Sequence, residues 1–265
     1  MASLLARPWR AALIDLDGTI YRGDEVIEGA AAFVQRLRER RIQPVFLTNN
    51  SIRTPQQTAE KLNRMGITAR PEEVVTSSEA SADYVLRRVG RGRIGYLGEA
   101  GVAEALAAVG LTGVCLRGWQ EDALPEVDGL VLGLDRRAGY LDYAAFSLLA
   151  MELGWFVLTN PDVRLPVGSR FYPGNGAVGR LVAEASGADA VIIGKPSPRF
   201  IDYALSRYAL ARTDVFIVGD NLRTDIAAGQ ASGLTTVWVQ SGVQYSSEEA
   251  TPPPDYVFSS VAALR

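Results

Sequence analysis

Ala11-Ala12-Leu13-Ile14-Asp15-Leu16-Asp17-Gly18-Thr19 is the stretch on which the reading of this chain turns. Its apolar first half reads as a buried strand and its second half as the turn that leaves it. Two carboxylates two residues apart on extended backbone point to the same side. At the end of a buried strand such a pair is costly unless a cation or hydrogen bonds compensate it. A divalent metal does so, and the arrangement leaves one carboxylate to attack as a nucleophile while the other handles protons. Gly18 permits a tight exit from the strand. A plainer reading is also open, because Asp and Gly are common wherever a strand ends in a polar turn.

Three distant segments bear on that choice. Val45-Phe46-Leu47-Thr48-Asn49-Asn50-Ser51 is a second apolar run ending in small polar residues. Thr48 falls at the carboxyl end of the strand, where ligands bind in open parallel sheets. Its hydroxyl and the groups of Asn49 and Asn50 suit a phosphate, and they equally suit a capped loop before the helix that Thr54 and Pro55 begin. In Val191-Ile192-Ile193-Gly194-Lys195-Pro196, Lys195 follows an apolar strand, where an ammonium can neutralise a phosphoryl oxygen. In Val215-Phe216-Ile217-Val218-Gly219-Asp220-Asn221, Asp220 is placed to bind a hard cation through oxygen. Asp225 lies in the first turns of the next helix. There, with Asn221, it supports the site by orienting Lys195 or a metal-bound water, or serves as an ordinary helix-dipole residue.

Four strand ends that each supply one part of a phosphoryl-transfer site are hard to explain separately. Together they resemble the haloacid dehalogenase superfamily of phosphohydrolases. Asp15-x-Asp17-Gly18-Thr19 looks like its first motif, Thr48 its second, Lys195 its third, and Gly219-Asp220 with Asp225 its fourth. Thr48-Asn49-Asn50-Ser51, Thr159-Asn160-Pro161-Asp162 and Gly194-Lys195-Pro196-Ser197 further resemble the NagD-type, p-nitrophenylphosphatase-like group. The resemblance implies a Rossmann-like α/β core, a parallel sheet with helices on both faces, plus an inserted α/β cap domain that selects the substrate. It implies Mg2+ as cofactor, held by the Asp15 carboxylate, the Asp17 main-chain carbonyl and Asp220. It implies a small phosphorylated metabolite as substrate, such as a sugar, glycerol or glycolate phosphate. Pairing of two copies through the cap as a homodimer is in keeping with the group.

The residues then predict a mechanism. Asp15 attacks phosphorus, Asp17 protonates the leaving alcohol and later takes a proton from water, and Thr48, Asn49, Asn50 and Lys195 hold the phosphoryl oxygens. Asp17 favours phosphate chemistry over dehalogenation, which needs no acid. Residues 78–186 contain no lysine, which removes the imine route of phosphonate-cleaving relatives. A non-catalytic phosphometabolite sensor on the same fold is the alternative from another class.

Composition agrees with this reading. A net charge of −3 gives no basic field for nucleic acid. The absence of histidine excludes Ser-His-Asp and Cys-His hydrolases and His-ligated zinc. Cys115 alone makes no internal disulfide, which fits a reducing cytoplasm. No apolar run is long enough for a membrane span, and Arg7, Pro8 and Arg10 interrupt any signal core.

Strand and helix patterns alternate along the chain. Strands are expected near 10–15, 44–47, 73–76, 93–97, 128–133, 155–158, 190–193, 214–218 and 235–239, with helices between. The motifs assign 1–77 and 187–265 to the core and 78–186 to the cap, with hinges near Ser77-Ser78 and Gly187. Two matches to G-x-G-x-x-G, from Gly90 and from Gly174, lack the strand-then-helix context of a dinucleotide site. Residues 160–176 read as a long polar loop that brings Asn160, Asp162, Arg164, Arg170 and Tyr172 toward a substrate. For Arg164, Arg170 and Tyr172, simple solvation fits as well.

Overall fold

The computed structural model describes residues 4–119, 124–167, 170–243 and 252–264. Ala11–Ile14 is a four-residue strand buried at every position, with parallel neighbours on both sides. A strand covered on both faces must be apolar throughout, which explains why its sequence shows no alternation. It sits third from one edge of a six-stranded sheet. The spatial order is Tyr256–Phe258, Thr235–Val239, Val215–Gly219, Ala11–Ile14, Gln43–Thr48 and Val74–Thr76. The chain leaves Ala11–Ile14 to one side for Gln43–Thr48 and to the other side for Val215–Gly219. The carboxyl ends of these three strands therefore form the topological switch point where open α/β sheets bind ligands.

The chain divides into two compact units. The first holds Met1–Thr48, Pro55–Val75 and Lys195–Arg265. Its helix Ala30–Glu39 buries Ala30, Phe33, Val34 and Leu37, one face at helical spacing. Pro198–Arg207, which begins on a proline, does the same with Phe200, Ile201, Ala204 and Leu205. Trp9 tilts against Phe216 with ring centroids 5.3 Å apart, closing one end of this core. A short hairpin, Tyr21–Arg22 with Glu25–Val26, follows the first strand. Sequence patterning does not reveal it, because two-residue strands carry no period.

The second unit holds Asn49–Thr54 and Thr76–Gly194. It is built on a five-stranded parallel sheet in the order Asp189–Ile192, Trp155–Leu158, Gly129–Leu132, Arg93–Leu97 and Thr112–Cys115. The helices Ser77–Val89, Ala100–Ala108, Tyr140–Leu153 and Asn175–Ser186 accompany it. The strand expected near 190–193 belongs to this sheet, paired with Trp155–Leu158, and not to the six-stranded one. Apolar content identified the strand but held no information about its partner.

Ser77 and Ser78, expected near a hinge, follow directly on the boundary between the units at Val75 and Thr76. They are buried in the first turn of Ser77–Val89, behind a capping box formed by Thr76 and Glu79. Their hydroxyls donate to Asn49 O at 3.0 Å and Ser51 O at 3.2 Å. The expected polar loop 160–176 contains an antiparallel hairpin, Arg164–Val167 with Arg170–Pro173. Most of its described side chains are exposed, so no buried face imposed the alternation that would have announced it. Among the described residues no helix is long and apolar enough to cross a membrane.

Candidate active site

Asp15 follows directly on its buried strand and is itself 8% exposed. Its backbone N–H still belongs to the sheet, donating to Val218 O at 3.0 Å. The carboxylate is held from two directions. Thr19 Oγ1 donates to Oδ2 at 3.0 Å, and Lys195 Nζ donates to Oδ1 at 2.6 Å. Thr19 is the residue that the tight turn at Gly18, with φ +91°, folds back onto the strand end. It has no assigned role in the sequence reading, although it stands inside the motif.

Lys195 is fully enclosed. Besides Asp15, its ammonium meets Asp225 Oδ1 at 2.7 Å and Leu47 O at 3.1 Å. Burial alone would make the ammonium easier to deprotonate, but the Asp15 and Asp225 charges outweigh it and raise its pKa above the ordinary lysine value. Asp225 is fixed in a single wide turn, Leu222–Ile226, where its Oδ2 accepts from Asn221 N at 3.1 Å. Asn221 caps the same turn by accepting from Arg223 N. These contacts hold the Asp225 carboxylate that meets Lys195.

Asp220 ends the strand Val215–Gly219 and is buried. Val243 N donates to its Oδ2 at 2.7 Å, and Trp238 Nε1 donates to its main-chain carbonyl at 2.9 Å. Burial, then the nearby Asp15 and Asp225 charges, push its carboxyl up to about 8. Burial and then the Asp15 charge bring Asp225 to about 7, with Lys195 pulling the other way. Ligand oxygens of Asp15, Asp220 and Asp225 all lie within 4.8 Å of one another.

This cluster fits a hard divalent cation. Three carboxylates face one ammonium, the donors are all oxygen, and burial together with repulsion among them drives the carboxyl groups of Asp220 and Asp225 toward protonation. A Cβ on Gly18 or Gly242 would overlap the Asp220 carboxylate, so the backbone closes around it where a side chain would not fit.

Asp17 differs from its neighbours in being exposed. Tyr21 OH donates to its Oδ2 at 3.4 Å. Thr48 is buried at the end of Gln43–Thr48, next to the Leu47 carbonyl that Lys195 engages. The first unit therefore brings together Asp15, Lys195, Asp220 and Asp225, with Asp17, Thr48 and Asn221 adjacent along the chain to members of that set.

The remaining expected residues lie in the second unit, and three of them, Asn49, Asn160 and Asp162, are linked there. Asn49 Nδ2 donates to Asp162 Oδ2 at 3.1 Å, and Asn160 Nδ2 donates to Asn49 O at 2.9 Å. Asn50 Oδ1 accepts from Ile52 N and Arg53 N, the turn-capping geometry that the sequence left open for it. Asn175, absent from the expected set, donates to Thr159 Oγ1 at 3.0 Å and is buried. Its signal was the Gly174-Asn175-Gly176 run. A Cβ on either glycine would strike the backbone of Asp162 or Pro161, so these glycines let the helix start lie against that loop. Arg164 and Tyr172 are exposed on the hairpin, with Arg164 5.5 Å from the Phe171 ring centroid.

Residues 12–112 match the haloacid dehalogenase-like hydrolase model, and residues 192–264 match a second, HAD-hydrolase-like one. An acid sugar phosphatase of Staphylococcus saprophyticus is 39% identical over 252 residues, covering 94% of this chain and 94% of the relative. A glycerol phosphate phosphatase from Mycobacterium tuberculosis, solved in complex with magnesium, superposes with a TM-score of 0.90 at 32% identity, covering 100% of this chain and 78% of that one. A p-nitrophenyl phosphatase from Archaeoglobus fulgidus gives 0.86 at 28% identity, over 97% of this chain and 98% of that one. The strand-end carboxylates, the buried lysine and these likenesses over nearly the whole chain lead to one family: the chain belongs to the haloacid dehalogenase-like hydrolases, among their NagD-type, p-nitrophenylphosphatase-like phosphatases.

Proposed function

We propose that this phosphatase is a magnesium-dependent phosphomonoesterase that works through a phosphoryl group carried on Asp15. The observation that carries the reading is the position of Lys195, bonded to Asp15 and Asp225 beside Asp220. Asp15 Oδ forms a bond to phosphorus as the bond to the leaving oxygen breaks. Asp17, the exposed carboxyl, gives that oxygen its proton. Water then attacks the phosphoryl-aspartate, its proton passes to Asp17, and inorganic phosphate leaves with Asp15 restored. Lys195 and Thr48 hold phosphoryl oxygens as negative charge redistributes. Asp15 and Asp220, with the Asp17 main-chain carbonyl that the family uses, would hold Mg2+, which neutralises phosphate charge when bound.

Substrate choice is assigned to the second unit, 78–186 within Thr76–Gly194, through Asn160, Asp162, Arg164 and Tyr172. The acid sugar phosphatase and glycerol phosphate phosphatase relatives favour sugar or glycerol phosphates as the substrate class. Hydrolysis of p-nitrophenyl phosphate with Mg2+, its loss after exhaustive chelation and its return with Mg2+ test the reading. Full activity after chelation contradicts it.

A further inference from the structure

Lys61 lies on the amphipathic helix Pro55–Arg64, yet it is buried at 7% exposure. A buried ammonium demands compensation. Asp24 lies 4.0 Å away on a side chain 99% exposed, a distance and hydration at which an ion pair contributes little. Two closer partners belong to the hairpin after the first motif. Lys61 Nζ lies 3.7 Å from the Tyr21 ring centroid and donates to Gly23 O at 2.7 Å.

Tyr21 is itself buried at 2% exposure. Its main chain is tied to the motif turn, with Gly18 N donating to Tyr21 O at 2.7 Å and a bridge between Asp17 and Tyr21. Its hydroxyl reaches Asp17 Oδ2 at 3.4 Å. A continuous line thus runs from the Lys61 ammonium, through the ring it covers, to one oxygen of the exposed Asp17 carboxyl.

We propose that Tyr21 is a positioning residue for Asp17, locked by Lys61, and that the pair sets the side-chain orientation from which Asp17 delivers its proton. This rests on the reading of Asp17 as the acid. An exposed carboxyl free to rotate presents its proton to the leaving oxygen only part of the time. A phenol hydrogen bond to Oδ2 selects one orientation. Swinging the ring away would cost the buried ammonium its contact with the ring face.

The test uses phenyl phosphate and p-nitrophenyl phosphate, nearly the same shape but unequal in their need for a proton on the leaving oxygen. The ratio of their kcat/KM values reports protonation in the step that forms the phosphoryl-aspartate. Tyr21→Phe keeps the ring for Lys61 and removes only the hydroxyl. It is expected to lower kcat/KM for phenyl phosphate about tenfold and for p-nitrophenyl phosphate less than about twofold. Lys61→Met is expected to do the same, and Lys61→Arg, which restores a cation over the ring, to recover most of the loss. Equal losses on both substrates, or none, overturn the inference. Should Tyr21→Phe fail to fold, the Lys61→Met and Lys61→Arg comparison decides. Asp17→Asn separates the two levels. If it shows no leaving-group dependence, the acid reading falls and the positioning role with it. If it does and the Tyr21 and Lys61 variants do not, only the positioning role falls.

Discussion

Lys195 Nζ lies 2.6 Å from Asp15 Oδ1, although 180 residues separate the two in sequence. Both are almost completely removed from solvent. Such a pair is weak evidence for stability, because desolvation offsets much of the attraction. It is strong evidence for a site in which an anion is to be held. Lys195→Met is expected to lower kcat about 10²–10³-fold, the loss seen when one preorganised charge partner is removed from a transition state. It is also expected to destabilise the protein by about 3 kcal/mol, because two buried carboxylates lose their cation. Steady-state kinetics and denaturant unfolding check both; activity within threefold of wild type would contradict the role.

The acidic trio is expected to make stability depend jointly on pH and metal. Folding raises the carboxyls of Asp220 and Asp225, to about 8 and about 7, above the ordinary aspartate value. A raised carboxyl opposes folding once it is ionised. The metal-free protein is therefore expected to lose stability as pH rises from about 4 toward 8 on account of these groups. Mg2+ removes the repulsion and competes with protons. The rise in Tm on adding Mg2+ should be larger at about pH 8.5 than at about pH 5.5. Equal increments at both pH values would show that the cation binds elsewhere.

Glu73 gives a second pH signature, away from the reacting centre. It is buried and receives Arg38 Nη1 at 2.7 Å and Arg70 Nη2 at 3.1 Å. Burial would raise its carboxyl, but the Arg38 hydrogen bond, the Arg70 backbone N–H and the two positive charges together hold it below the ordinary value. A depressed carboxyl stabilises the fold above its unfolded pKa, and the contribution is lost as pH falls through the folded value. Glu73→Gln should cost about 2 kcal/mol at pH 7, and the difference from wild type should shrink below about pH 4. Chemical denaturation at the two pH values measures it, with kcat unchanged at neutral pH.

Arg164 and Tyr172 are exposed on the hairpin of the second unit. If they contact the organic part of a substrate, Arg164→Ala and Tyr172→Ala should change kcat/KM unequally across a panel of sugar, glycerol and glycolate phosphates. The smallest change is expected with p-nitrophenyl phosphate, whose leaving group needs least from the protein. A common factor for every substrate would remove them from specificity.

How much of this was legible in the sequence depended on whether burial imposed a pattern. The strands Ala11–Ile14, Gln43–Thr48 and Val215–Gly219 are covered on both faces and end in polar residues, so both the elements and the motifs at their tips were readable. Asp189–Ile192 was readable as a strand, but which sheet it joins depends on the helix Asn175–Ser186 that returns it beside Trp155–Leu158. The hairpin Arg164–Pro173 is largely solvent-exposed, so it carries no apolar period. Lys61 illustrates a different limit. A lysine on an amphipathic helix is expected in water, and its burial follows from a tyrosine ring and a carbonyl on a hairpin that only the folded chain brings near.

The most direct test of Asp15 as nucleophile is to trap what forms on it. Asp17→Asn protein, which lacks the base that activates water, is mixed with p-nitrophenyl phosphate and Mg2+, quenched in acid and mapped by peptide mass spectrometry. A single phosphoryl adduct is expected on the peptide Ala11–Arg22, at Asp15 and not at position 17, and absent when Asp15→Asn is combined with it. The Asp15→Asn protein alone should retain less than about a thousandth of wild-type kcat, since an amide is a poor nucleophile. An adduct on any other residue, or substantial turnover by Asp15→Asn, would contradict a covalent route through Asp15.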